Sequence, residues 1–331
     1  MIKNLRWFIV AFVVTSLLVL VAFLVPDTTL PLYFKGLYPI IRKAFSLLHF
    51  CTPVPLVWLL LCLLPVLFYF WIPRQEGGFK RLIIAVMKLI IVFYCAFWWL
   101  WGFNYACVDA LSVSKEKQLE RHQLLKLGKY AAHEANHYRN KIQIPFEYWR
   151  ADDPIFDHIT SIPFNGLLRR CGIAGIFIPF TNEPLIDGSF FGSQKLWVAH
   201  HETAHREGFA EEARADFEAW QQMLAFTSTD SINLAMHRYS AWFEVWLTVK
   251  NECYQSIADR DSLEKMLSPA VREDLNKIRT QSKNFPPFFP GVSQKLNDMY
   301  LKSLGIESGI LSYDQFILGV WNVIDRDSSF R

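Results

Sequence analysis

The chain has 331 residues, is 52% hydrophobic and 16% aromatic, and carries a formal net charge of +3. A near-neutral balance without long basic runs argues against nucleic acid as a partner. The apolar content exceeds that of an ordinary soluble domain, and most of the excess lies in the first hundred residues, which argues against a wholly soluble protein.

Residues 5–25 are apolar except for Arg6, Thr15 and Ser16. That run is long enough to span a bilayer, and no small-x-small cleavage site precedes Pro26, so it reads as an uncleaved anchor. Residues 33–50 carry Lys35, Arg42 and Lys43 among apolar residues at near-helical spacing, a pattern suited to lying flat on a membrane surface. Residues 54–72, with Pro65 inside, form a second expected span, and residues 82–101 a third. Lys88 lies early in the third and is expected to snorkel towards Lys80 and Arg81. Phe97, Trp98, Trp99 and Trp101 read as an aromatic belt at its far end. Arg74, Lys80 and Arg81, with Lys3 and Arg6, put the N-terminus in the cytoplasm. Three spans in the cytoplasmic membrane then leave the rest of the chain on the extracytoplasmic side. No ion path is evident, which weakens a transporter reading.

Residues 1–103 are therefore read as the membrane region, and residues 104–331 as one globular domain, long enough for a single core. Ser114 is expected to cap a helix running to Ile142. Pro145, Pro154 and Pro163 break the next stretch, and the β-branched residues 173–187 read as one or two strands. Helices are expected over 193–205, 210–226 and 231–254. Two or three more fill 260–325, interrupted by the proline-rich 285–291. The domain is thus mostly helical α+β. The six cysteines form no CxxC pair, which argues against a cysteine zinc site; one disulfide among Cys107, Cys171 and Cys253 is compatible with the spacing.

The chemistry concentrates at 201–205, His-Glu-Thr-Ala-His. Two histidines four apart on a helix share a face, so both imidazoles can reach one metal ion. Glu202 is placed to act as general base on a water there. A straight helix would carry Glu212 about 10 Å along its axis from His205, too far to share the ion. Gly208 offers a break, because glycine alone makes a left-handed turn without strain. A second helix beginning near Glu211 would return a carboxylate, with Glu212 and Asp216 four apart on one face. Glu212 is the preferred third ligand, and Asp216 would fix a ligand histidine's tautomer. Glu211 stays open as the alternative, since HExxHxxGxxE puts it at the third-ligand position of metzincins. A plain acidic helix start would also explain these carboxylates. The pentapeptide recurs at 133–137 as His-Glu-Ala-Asn-His, but inside a charge-rich helix with no glycine and no nearby carboxylate after it. There it reads as surface histidines at helical spacing.

The chain resembles a bacterial domain-of-unknown-function family of multi-pass membrane proteins with a zincin-like HExxH. The resemblance rests on YPIIRKAFSLLHFCTPVPL before the second span, WGFNY at 101–105, IPFTNEP at 178–184, HETAHREGFAEE at 201–212, RYSAW at 238–242, and LNDMYLKSLG followed by SYD. In that family the pentapeptide matching 201–205 is the shared one. The family pattern continues Glu-x-Glu-Ala-Asn, where this chain has Glu212, Ala213, Arg214, Ala215 and Asp216. Arg214 stands where the pattern has its second Glu and cannot ligate, whereas Glu212 is retained, so the ligand role passes to it alone.

The expectation is a membrane-anchored zinc metallopeptidase: three N-terminal transmembrane helices followed by a zincin-like domain. His201, His205 and Glu212 would hold Zn²⁺ and Glu202 would act as base on a protein or peptide substrate. His237, Arg238 and Tyr239 are candidate transition-state donors. The strand ending at Glu183 is a candidate substrate contact through β-addition. The alternative is a non-catalytic membrane sensor or scaffold retaining a structural or degenerate metal site.

Overall fold

Apolar runs with no polar face satisfy their backbones most simply as helices. The computed structural model describes residues 2–52, 54–71, 78–108, 118–149, 155–156, 159–162, 164–289, 291, 295, 299 and 315–326. In it α1 spans Ile2–Leu24, α2 Tyr38–Cys51, α3 Leu56–Trp71 and α4 Gly78–Leu100. Windows of α1 and α4, Leu5–Leu24 and Leu82–Leu100, are long and apolar enough to cross a membrane. The expected second span is not one straight helix of crossing length. At 16 residues α3 is shorter than the roughly 20 a crossing helix needs. It instead pairs with the helical run Pro26–Cys51 across a 91° bend. Thr52, which precedes a proline in sequence, takes extended backbone and ends α2 there.

The chain divides into two compact units, the first comprising Met1–Leu111, Phe177–Glu183 and Arg206–Ala210. Within it α1 and α4 run parallel. The Lys88 ammonium lies over the Phe8 ring, Phe12 packs on Tyr94, Thr15 donates to Cys95, and Phe23 meets Trp98. Trp99 Nε1 donates to Thr15 Oγ1 at 3.3 Å, and Ser16 Oγ and Tyr94 OH are 3.0 Å apart. Hydroxyls in an apolar helix pair need such partners. The expected aromatic belt is partly an internal packing layer, because Trp98 and Trp101 are buried. Gly102 follows with no room for a β-carbon, which would stand 2.7 Å from the Trp98 ring.

Two short pieces from later in the chain complete this unit. Tyr38 OH donates to the Arg206 carbonyl at 2.8 Å. The Arg206 guanidinium donates to Asn182 Oδ1 and Ser46 Oγ. A β-carbon on Gly208 would press the Tyr38 and Phe34 rings at 2.9 and 3.0 Å.

The second unit comprises Ser112–Ile176, Pro184–His205 and Glu211–Arg331. Its helix α5 covers Arg121–Arg139 and starts at Glu120, whose carboxylate forms a capping box with Gln123. Ser114, the expected cap, lies outside the described residues, as does Arg74. The strands are β1 (Thr160–Ile162), β2 (Gly175–Ile178) and β3 (Glu183–Asp187), in the order β1-β3-β2. β1 runs parallel to β3, with Thr160 opposite Leu185. It is only three residues long and lies in the proline-broken stretch, too short to show an alternating pattern. The longer helices that follow among the described residues are α6 (Gly192–Glu207), α7 (Glu212–Ala225), α8 (Ser231–Glu252), α9 (Ile257–Lys265), α10 (Pro269–Asn284) and α11 (Phe316–Ile324). α8 starts on an Asp230 cap, and α5 packs along it. Leu127, Phe146, Tyr239, Phe243, Trp246 and Phe316 are buried at the centre of this core. All six cysteines are free.

Candidate metal centre

Helix α6 carries His200, His201, Glu202 and His205, all buried. Ionisable groups withdrawn from water need partners, and α7 supplies them for the three histidines. α6 ends at Glu207, and Gly208 has φ +105°, in the left-handed region open to glycine. The chain turns, and Glu212 opens α7. Three atoms converge as a result. His201 Nε2 and His205 Nε2 are 3.0 Å apart, and Glu212 Oε2 is 3.2 Å from each. With bonds of about 2.0–2.1 Å, two ligands on a tetrahedral ion stand about 3.3 Å apart. The triangle therefore has nearly the size of one face of such a coordination sphere.

Protons alone do not satisfy it. His201 Nδ1 lies 2.6 Å from Asp216 Oδ1, so that nitrogen carries the proton it donates. If His201 Nε2 is bare, its lone pair faces the Glu212 oxygen. If it is protonated and donates to Glu212, the contact between His205 Nε2 and either its proton or the carboxylate remains unfavourable. One edge is repulsive in each case, whereas a cation at the centre would attract all three atoms.

The electrostatics follow from the same contacts. Burial alone would depress the His201 imidazole, but Asp216 and Glu212 outweigh it and hold it well above the ordinary histidine range. His205 is raised too; burial opposes this, and Glu212 prevails. Burial would raise Glu212, yet the two imidazoles hold its carboxyl far below the usual carboxylate range. Burial pushes Glu202 up to about 7, with the imidazoles opposing. The site thus holds three convergent side-chain atoms within reach of one ion, an imidazole oriented by Asp216, and the buried carboxyl of Glu202 on the same helix.

The other candidates lie elsewhere. Glu211 precedes α7 in extended backbone (φ −81°, ψ 133°), and its carboxylate is not part of the triangle. Arg214 pairs with Glu218 one turn on. Tyr239 is not a site donor: it is buried in the core and donates to Asp274 Oδ2 at 2.9 Å. His237 stacks on Phe226 at 3.7 Å between centroids, and its Nδ1 lies 2.8 Å from the Asn233 carbonyl. Arg238 lies close enough to the Tyr138 hydroxyl to act on it electrostatically. Glu183 is a helix cap in the first unit, its two oxygens accepting from Leu56 N and Val57 N at 2.7 Å. His133 is exposed and paired with Glu134, so the 133–137 pentapeptide forms no such cluster among the described residues. Sequence reasoning missed one neighbour, Gly175 at the start of β2, which lies against Glu202. Its only signal was a glycine heading an apolar strand.

A family model described as protein of unknown function (DUF3810) matches residues 33–319. No curated protein matches the chain, and no solved structure does.

Proposed function

The chain belongs to the DUF3810 family of proteins of unknown function, and from that premise we propose that it is a membrane-bound, zinc-dependent metallopeptidase. The observation that carries the reading is the triangle of His201 Nε2, His205 Nε2 and Glu212 Oε2, with Glu202 beside it on α6. Zinc suits an N₂O donor set and would supply Lewis acidity, acidifying a water and polarising a carbonyl.

The chain's own residues then have distinct tasks. His201, His205 and Glu212 would hold the ion. Asp216 keeps the His201 proton on Nδ1, which frees Nε2 to ligate. Glu202 takes one proton from the attacking water. As the C–N bond breaks, it passes that proton to the departing amine nitrogen. β2 is an edge strand of the sheet and starts at Gly175 beside Glu202, which suits an extended peptide as substrate.

The parallel run of α1 and α4 supports the membrane topology. If both cross in the same direction, the segment between them must return across the bilayer, so the bent pair counts as the third crossing. Lys3 and Arg6 then share a side with Lys80 and Arg81, as the positive-inside tendency favours. The residues after α4 would be extracytoplasmic, which reporter fusions after residues 25, 77 and 110 would test.

A sensor or scaffold with a structural metal site is the second reading. It is favoured by burial of all three ligand side chains, which are 9–12% exposed. A structural site has no use for Glu202, which favours catalysis. Counting zinc in the detergent-purified protein and assaying peptide hydrolysis separates the two. Zinc with no hydrolysis of any peptide, and no effect of Glu202→Gln in cells, would support the scaffold.

A further inference from the structure

We infer that Gly175 is a positioning residue for Glu202, an inference that rests on the peptidase reading above. A β-carbon built on Gly175 would stand 2.6 Å from Glu202 Cγ, 2.7 Å from Oε1 and 2.9 Å from Cδ. Non-bonded carbons settle at about 3.5–4.0 Å. The side chain that glycine lacks is thus the space that the Glu202 carboxylate occupies.

Conformation does not explain this glycine. Gly175 is absent from the residues with positive φ, and it sits in a strand, where glycine costs backbone entropy. Alanine would suit the strand better. Glycine in a strand commonly marks a close approach by another group, and here that group is the general base.

The identity of the crowded atoms decides what a substitution does. All three nearest atoms belong to the Glu202 side chain, from Cγ outward, and none is backbone. The protein can therefore admit a methyl group by turning Glu202 aside. The backbone need not move, and His201, His205 and Glu212 are not the atoms struck. Gly175→Ala would leave fold and zinc binding intact and would misplace the base. A displacement of about 1 Å at a reacting group can cost about a hundredfold in rate.

The test uses the full-length protein in detergent. For Gly175→Ala the expected result is wild-type zinc stoichiometry, wild-type zinc affinity by chelator competition, and an unchanged melting temperature. kcat should fall about a hundredfold with KM nearly constant. Glu202→Ala removes all three crowded atoms. Adding Gly175→Ala to that variant should therefore leave its residual hydrolysis unchanged. Retention of wild-type kcat by Gly175→Ala would overturn the inference, as would loss of zinc or equal effects in both backgrounds. A wild-type protein that binds zinc and hydrolyses no peptide would instead overturn the peptidase reading, and this inference with it.

Discussion

His201 Nδ1 lies 2.6 Å from Asp216 Oδ1, one helix holding the imidazole that the next orients. The contact fixes which nitrogen keeps its proton. Removing it should weaken zinc binding without removing a ligand. Asp216→Ala is expected to lower zinc affinity about 10–100-fold, the usual cost of losing such a partner. Asp216→Asn keeps an acceptor oxygen and should fall between. Competition against a chelator measures both, and equal affinity in all three proteins would remove Asp216 from the site.

Gly208 is the hinge that brings Glu212 to the imidazoles. At φ +105° a side chain is strained, and its β-carbon would also press the Tyr38 and Phe34 rings. Gly208→Ala should cost at least about 1–2 kcal/mol from backbone handedness alone. A lower melting temperature together with weaker zinc retention is expected. A Gly208→Ala protein as stable and as zinc-loaded as wild type would contradict the role given to the turn.

Tyr239 belongs to the core rather than the site. It shares Asp274 with Arg139, a buried carboxylate against a nearly buried guanidinium. Tyr239→Phe should cost about 1 kcal/mol of stability and leave hydrolysis unchanged. Asp274→Ala strands the arginine and should cost about 3–5 kcal/mol. Urea unfolding measures both. A Tyr239→Phe protein with wild-type stability and a large loss of kcat would restore Tyr239 as a transition-state donor.

Glu264 gives a pH signature away from the metal. Two hydrogen bonds from Arg279, at 3.0 Å each, with Lys250 adding to them, hold its carboxyl at about 2, below its ordinary 4.5. The folded protein thus keeps this group ionised where the unfolded chain has already protonated it. Its contribution to stability is present in full above pH 4.5 and is lost as the pH falls towards about 2. Glu264→Gln should lower stability near neutrality and flatten the acid limb of the stability–pH curve. An identical acid limb in wild type and variant would remove Glu264 as a contributor.

The sequence made the ligand cluster legible because each part has a local signature. The i, i+4 histidines, the glycine and the carboxylates after it lie within sixteen residues, and helix geometry relates them directly. The helices read from 193, 210 and 231 were legible for the same reason, since helical patterning is local. Partners distant in sequence were not. Glu183 looked free until Leu56 and Val57, more than a hundred residues earlier, claimed its oxygens. Tyr239 and Asp274 are likewise joined only by tertiary packing. Hydropathy could not show that residues 26–71 bend, because it measures composition and not direction.

The central claim is that Glu202 works beside an ion held by His201, His205 and Glu212. The direct measurement is peptide hydrolysis by zinc-counted wild type, Glu202→Gln and Glu134→Gln. One zinc per chain in all three proteins is expected, with hydrolysis lost in Glu202→Gln alone. Hydrolysis that survives Glu202→Gln and vanishes in Glu134→Gln would contradict it and move the site to the other pentapeptide.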